Sequence, residues 1–147
     1  MRQIILNSAS WLAGHLPQPL LQRIYRIPAL ARLLRRTLNR AAPQGMSRVQ
    51  IAGGLNAGCS MELDLQTEKD LWLGTYEPDL QAALADLVVP GSIIYDVGAN
   101  IGYMTLMLAN CTGTKGCVFA FEPLPENQER LFRTIELNGL NDRIAVV

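Results

Sequence analysis

Acidic residues are missing from the first 61 positions of this 147-residue chain. The same stretch holds eight arginines, whereas residues 62–147 hold thirteen acids against five lysines and arginines. A net charge of zero therefore conceals one segment of +8 and one of −8. Either the basic arm meets an anionic partner, such as a lipid surface or a phosphate, or the two segments dock on each other or carry solvated faces. Histidine is nearly absent, and the one present, His15, has no Cys/His cluster around it, which argues against a zinc site. The three cysteines, Cys59, Cys111 and Cys117, form no CxxC pair. Their odd number suggests reduced thiols in a cytoplasm-like compartment. No run of 18 apolar residues occurs, which argues against a membrane-spanning helix. Residues 4–14 are apolar but include Asn7, Ser8 and Ser10 behind a single arginine, a poor signal peptide. Apolar residues still make up 49% of the chain, enough for a globular domain with a core.

Three regions are predicted. Residues 1–45 form a basic arm. Within 17–41, Ala29, Leu30, Leu33, Leu34, Leu38 and Ala41 fall on one helical stripe and Arg32, Arg35, Arg36 and Arg40 on the other. Such a helix packs on its own domain or lies on a membrane surface, and an acid-poor, Arg-rich transit peptide has the same composition. The arginines lack interleaved aromatics apart from Tyr25, so nucleic acid is not the expected partner. Residues 46–75 read as a hairpin and lead-in. Cys59, Met61, Leu63 and Leu65 alternate with polar residues, and Val49 and Ile51 suggest a partner strand joined by the glycine-rich "GGLNAG".

From 76 to 147 the pattern is helical and then strictly alternating. "GTYEPDLQAALADLVVPG" predicts a helix with Pro78 in its first turn and Leu80, Ala83, Leu84, Leu87 and Val88 on its apolar face. "SIIYDV" and "CVFAFE" read as buried strands and "GYMTLMLANC" as a helix apolar on nearly every side. A further helix starts at Pro125 and ends at Asn138-Gly139, and "RIAVV" begins a third strand. This βαβαβ series predicts a parallel sheet, the N-terminal half of a doubly wound fold. The expectation is a fragment cut in its third strand, whose bare edge two copies could share.

The chemistry concentrates in "YDVGANIG", residues 95–102. In an open α/β sheet the ligand sits beyond the carboxyl ends of the strands, where this turn lies. Gly98 permits a sharp bend and close approach to a ligand, and Gly102 lets the next helix start close to the strand. Glu122, twenty residues past Gly102 at the end of the second strand, can accept hydrogen bonds from both ribose hydroxyls or cap the helix after Pro123. A dinucleotide site requires Gly-x-Gly-x-x-Gly, and here the middle spacing is wrong. Asp96 would repel a pyrophosphate but attract an ammonium or sulfonium. Asn100 can hydrogen-bond an amino-acid end. These features point to S-adenosylmethionine, with Asp96 as helix cap and Asn100 as turn residue the plainer readings.

"YDVGANIGYMTLMLA", "VFAFEPLPENQERLFRTIELNGL" and "GTYEPDLQAALADLVVPG" resemble the FkbM family of S-adenosylmethionine-dependent methyltransferases, over about residues 59–147. The resemblance implies a Rossmann-like fold and a cofactor loop at Asp96, Gly98 and Gly102. Asn100 would stand where many other methyltransferases have a glycine. It implies a ribose-binding acid at Glu122 and a flanking element at Tyr76-Glu77. It also implies O-methylation of a hydroxyl on a sugar, glycolipid or secondary metabolite, so a small-molecule or glycan acceptor. No catalytic base is identified, since His15 lies far from the turn in sequence. The competing readings are a non-catalytic cofactor-binding or assembly fragment and an NAD-dependent oxidoreductase. The expected location is cytoplasmic or peripheral to a membrane through the basic arm.

Overall fold

The structure, a computed structural model, describes residues 2–15, 36, 38 and 40–147. The elements in chain order are α1 (Arg2–His15), β1 (Met46–Gln50), β2 (Ser60–Asp64), α2 (Lys69–Leu73), α3 (Pro78–Leu87), β3 (Ile93–Val97), α4 (Tyr103–Thr112), β4 (Cys117–Phe121), α5 (Pro125–Leu137) and β5 (Ile144–Val146). The chain divides into two units. One comprises Met1–Gly58 and Leu63–Tyr76, the other Cys59–Glu62 and Glu77–Val147.

In the first unit α1, which the sequence reading left as an unassigned apolar stretch, packs against α2. It buries Leu6 and Ala13 and leaves Trp11 and His15 stacked on its exposed side with ring centroids 4.7 Å apart. β1 and β2 pair as expected. Met61, Leu63 and Leu65 are buried, as their alternation requires, and the glycine-rich link becomes a 3-10 turn at Gly54–Asn56. Most of the predicted 17–41 helix lies outside the described residues, including Ala29, Leu30, Arg32, Leu33, Leu34 and Arg35. Of the remainder, Leu38 and Ala41 are buried and Arg36 and Arg40 exposed. Among the described residues no helix is long and apolar enough to cross a membrane.

The second unit is built on a parallel sheet of order β3-β4-β5. Tyr95 pairs with Phe119 and Asp96 with Ala120, so residues of one parity share a face across the strands. On one face Val118, Ala120 and Ile144 pack with Leu108 and Ala109 of α4 and Leu131 and Ile135 of α5. Leu84 of α3 and Val88 just after it join the same cluster, so all three helices cover this face. The proline starts are confirmed: Pro78 and Pro125 each occupy the first turn of a helix, where a missing N–H costs nothing. Arg143 closes the C-terminal end of α4 by donating to the carbonyls of Ala109 and Gly113.

Two expectations are corrected. β3 is not a strand buried on both faces: Ile93, Tyr95 and Val97 are 63%, 65% and 83% exposed, because every helix of this unit lies on the opposite face. Tyr95 instead stacks on Phe119 and Phe121 along the open face, at 5.5 and 6.0 Å. The apolar stripe of α3 is also not uniformly buried. Leu80 and Leu87 are exposed while Gln81 is buried. Leu87 lines a cleft of about 500 Å³ between α3, β3 and α4 rather than the core.

Candidate functional site

The turn after β3 is tied down by its own backbone. The amides of Gly98 and Ala99 both donate to the Phe121 carbonyl, at 2.9 and 3.0 Å, prolonging the β3–β4 ladder. The Gly102 amide donates to the Ala99 carbonyl, and Leu106 N–H to the Gly102 carbonyl begins α4. The Asn100 amide donates to Oε2 of Glu122 at 2.8 Å. Gly98, Asn100 and Gly102 all have positive φ, of 85°, 51° and 89°. Asn100 is the non-glycine residue in the turn that tolerates this region best. Its side chain stands exposed.

The two glycines serve different ends. A Cβ at Gly98 would meet nothing within 4 Å, so the space beside it is open. A Cβ at Gly102 would lie 2.7 Å from Leu131 Cδ1, so here the helix does start close against its neighbours. Gly98→Ala is therefore expected to cost only the left-handed strain, about 1–2 kcal/mol in a denaturant titration. The methyl would nevertheless stand in the open space beside the turn. A loss much above that range would show the position to be packed.

Two carboxylates flank the turn in unlike surroundings. Asp96 is half-buried on the helix-covered face and lines the α3–β3–α4 cleft with Leu84, Val88, Ile94, Met104 and Leu108. Burial pushes its carboxyl above the usual aspartate value, and a 2.6 Å hydrogen bond from the Thr105 hydroxyl partly opposes this. Glu122 is 5% exposed, and both of its carboxylate oxygens are engaged by the chain. Its Oε1 accepts from Leu124 N–H at 3.0 Å and from Asn127 Nδ2 at 3.3 Å, while Oε2 holds Asn100. The Leu124 N–H is the main influence holding this carboxyl below its usual range. Burial opposes it, and the Asn100 and Asn127 bonds add to it.

Asp96, Gly98, Asn100, Gly102 and Glu122 thus converge on one turn. Tyr76 closes the first unit and Glu77 opens α3 in the second, with φ 47° and an exposed side chain. Glu122 also performs the capping that its sequence position allowed, since Leu124 and Asn127 stand at the start of α5. Sequence reasoning missed Thr105 and Asn127. The signal for Thr105 was a threonine within the apolar first half of α4, three residues after Gly102. Among the described residues no group of three His, Cys, Asp or Glu could hold a metal.

No family profile and no curated protein matches the chain. Among solved structures the fold is similar to PH0793 from Pyrococcus horikoshii, provisionally described as a transferase (TM-score 0.50, 17% identity). It is also similar to P. horikoshii TYW2 in complex with MeSAdo (TM-score 0.50, 18% identity). All of this chain is covered in each case, and it spans 63% of the length of those proteins. At such identity the likeness establishes the fold, a Rossmann-like parallel α/β sheet.

Proposed function

We propose that this chain binds S-adenosylmethionine at the turn after β3 and forms part of a methyltransferase of FkbM type acting on a hydroxyl of a sugar, glycolipid or secondary metabolite. The observation that carries this reading is the state of the turn amides. Those of Gly98, Ala99, Asn100 and Gly102 all donate within the chain, so none of the four is left to cradle a pyrophosphate. A half-buried carboxylate at Asp96 and the Asn100 side chain instead face the demands of an ammonium and an amino-acid carboxylate. The same observation weighs against a nicotinamide dinucleotide. The MeSAdo held by one structural neighbour, a S-adenosylmethionine analogue, lends the nucleoside part of the reading support.

Glu122 fits a ribose more narrowly than two free oxygens would. Three of its roughly four acceptor positions are taken, leaving one on Oε2 for a single hydroxyl. When bound, the cofactor supplies an electrophilic methyl on a sulfonium. The chain's contribution is then alignment: the turn fixes the nucleoside, and Asp96 orients the amino-acid end. In the overall reaction a C–O bond forms as the C–S bond breaks, the acceptor hydroxyl loses its proton, and S-adenosylhomocysteine leaves. Calorimetric titration of the chain with S-adenosylhomocysteine and with NADH tests the proposal. Binding of the first at micromolar concentration and not of the second is expected. A preference for NADH would overturn it.

A further inference from the structure

We infer that Thr105 is the positioning residue of this site: its hydroxyl holds the Asp96 carboxylate in one orientation toward the cationic end of the ligand. The inference rests on the cofactor reading above and adds a residue to it. Thr105 is fully buried in a helix whose other core-facing residues are almost all apolar, where a hydroxyl must find a partner. A helical threonine ordinarily bonds back to the carbonyl four residues earlier. That carbonyl, of Ile101, is already taken by the Thr134 hydroxyl at 2.9 Å. Thr105 turns instead to Asp96, and the 2.6 Å separation is that of a charge-assisted bond.

Among the described residues the walls of this cleft carry no positive charge, and the hydroxyl of Ser92, which also lines it, is engaged with Thr112 at 3.3 Å. α3 presents Leu84 and Leu87 and its C-terminal cap Val88, α4 presents Met104 and Leu108, and β4 sets Ala120 beside Asp96 in register. Tyr95, its neighbour on β3, borders the cleft but turns its ring to the opposite, open face, against Phe119 and Phe121. Among the described residues Thr105 supplies the single hydrogen bond to the Asp96 side chain, through Oδ2. Oδ1 is left for a cation. Removing the hydroxyl would leave burial unopposed and favour the neutral acid.

The test is a carbon-detected NMR titration of the Asp96 carboxyl in the whole chain, in Thr105→Val and in Thr105→Ser, beside S-adenosylhomocysteine affinity between pH 5 and 8. In Thr105→Val the Asp96 midpoint should rise by about one pH unit. Affinity should fall about twofold at that midpoint and up to about tenfold at lower pH, and recover as the pH is raised. Thr105→Ser, which keeps the hydroxyl, should titrate and bind as the unaltered chain does. An unchanged Asp96 midpoint in the valine variant overturns the inference, as does a serine variant that titrates like the valine one. Failure of the unaltered chain to bind S-adenosylhomocysteine overturns the cofactor reading instead, and the titration then still decides whether Thr105 controls Asp96.

Discussion

Replacing Gly102 by alanine is expected to lower the unfolding free energy by about 2–5 kcal/mol, read as a shifted urea midpoint with an unchanged slope. Two effects add. The residue sits at φ 89°, where any Cβ costs about 1–2 kcal/mol. The new methyl would also lie 2.7 Å from Leu131 Cδ1 and 3.4 Å from Thr134 Cγ2. Leu131 is fully buried in the core cluster, and overpacking of a buried contact costs about 1–3 kcal/mol. Thr134 is equally constrained, because its hydroxyl holds the Ile101 carbonyl one residue before the substitution. The pair of glycine variants is informative because both residues have positive φ and only Gly102 is packed. Equal losses at Gly98 and Gly102 would mean that the contact with Leu131 carries no weight.

The same pair shows what was legible in the sequence. Glycine at the end of a β-branched run, followed by an apolar helix, signals a strand-turn-helix junction because few other residues tolerate φ above zero. Proline at 78 and 125 marked helix starts for an equally local reason. What could not be read were facts about layers. An apolar strand such as "SIIYDV" looks alike whether one face or both are covered, and only the placement of α3, α4 and α5 shows that Ile93, Tyr95 and Val97 face outward. Partner choice was hidden in the same way. Glu122 is separated from Asn100 by 22 residues and Thr105 from Asp96 by nine, and neither spacing belongs to a helix or strand period. These contacts exist because the parallel register brings the ends of β3 and β4 together, with the start of α4 above them.

Glu122→Gln is expected to loosen the turn and to weaken S-adenosylhomocysteine binding about tenfold or more. An amide offers one acceptor oxygen where the carboxylate offers two. If that oxygen keeps Leu124 and Asn127, the NH₂ faces the Asn100 N–H, donor against donor, and the turn loses the bond that holds Asn100 at φ 51°. The consequence for pH follows from the direction of the shift. The folded chain holds the Glu122 carboxyl below its usual range, so this group stabilises the fold above that range, and the contribution is lost as the pH falls through the lowered folded value. Asp96 acts in the opposite sense. Its folded value is raised, so its cost is felt above that value and disappears on acidification. Because the two carboxylates oppose each other, the melting temperature of the unaltered chain alone does not separate them. The difference between the unaltered chain and Glu122→Gln does, since Asp96 is common to both. That difference should be largest near neutral pH and shrink as the pH falls below the carboxylate range. Melting profiles that run parallel from pH 7 to pH 3 would show that the Glu122 charge does not hold the turn.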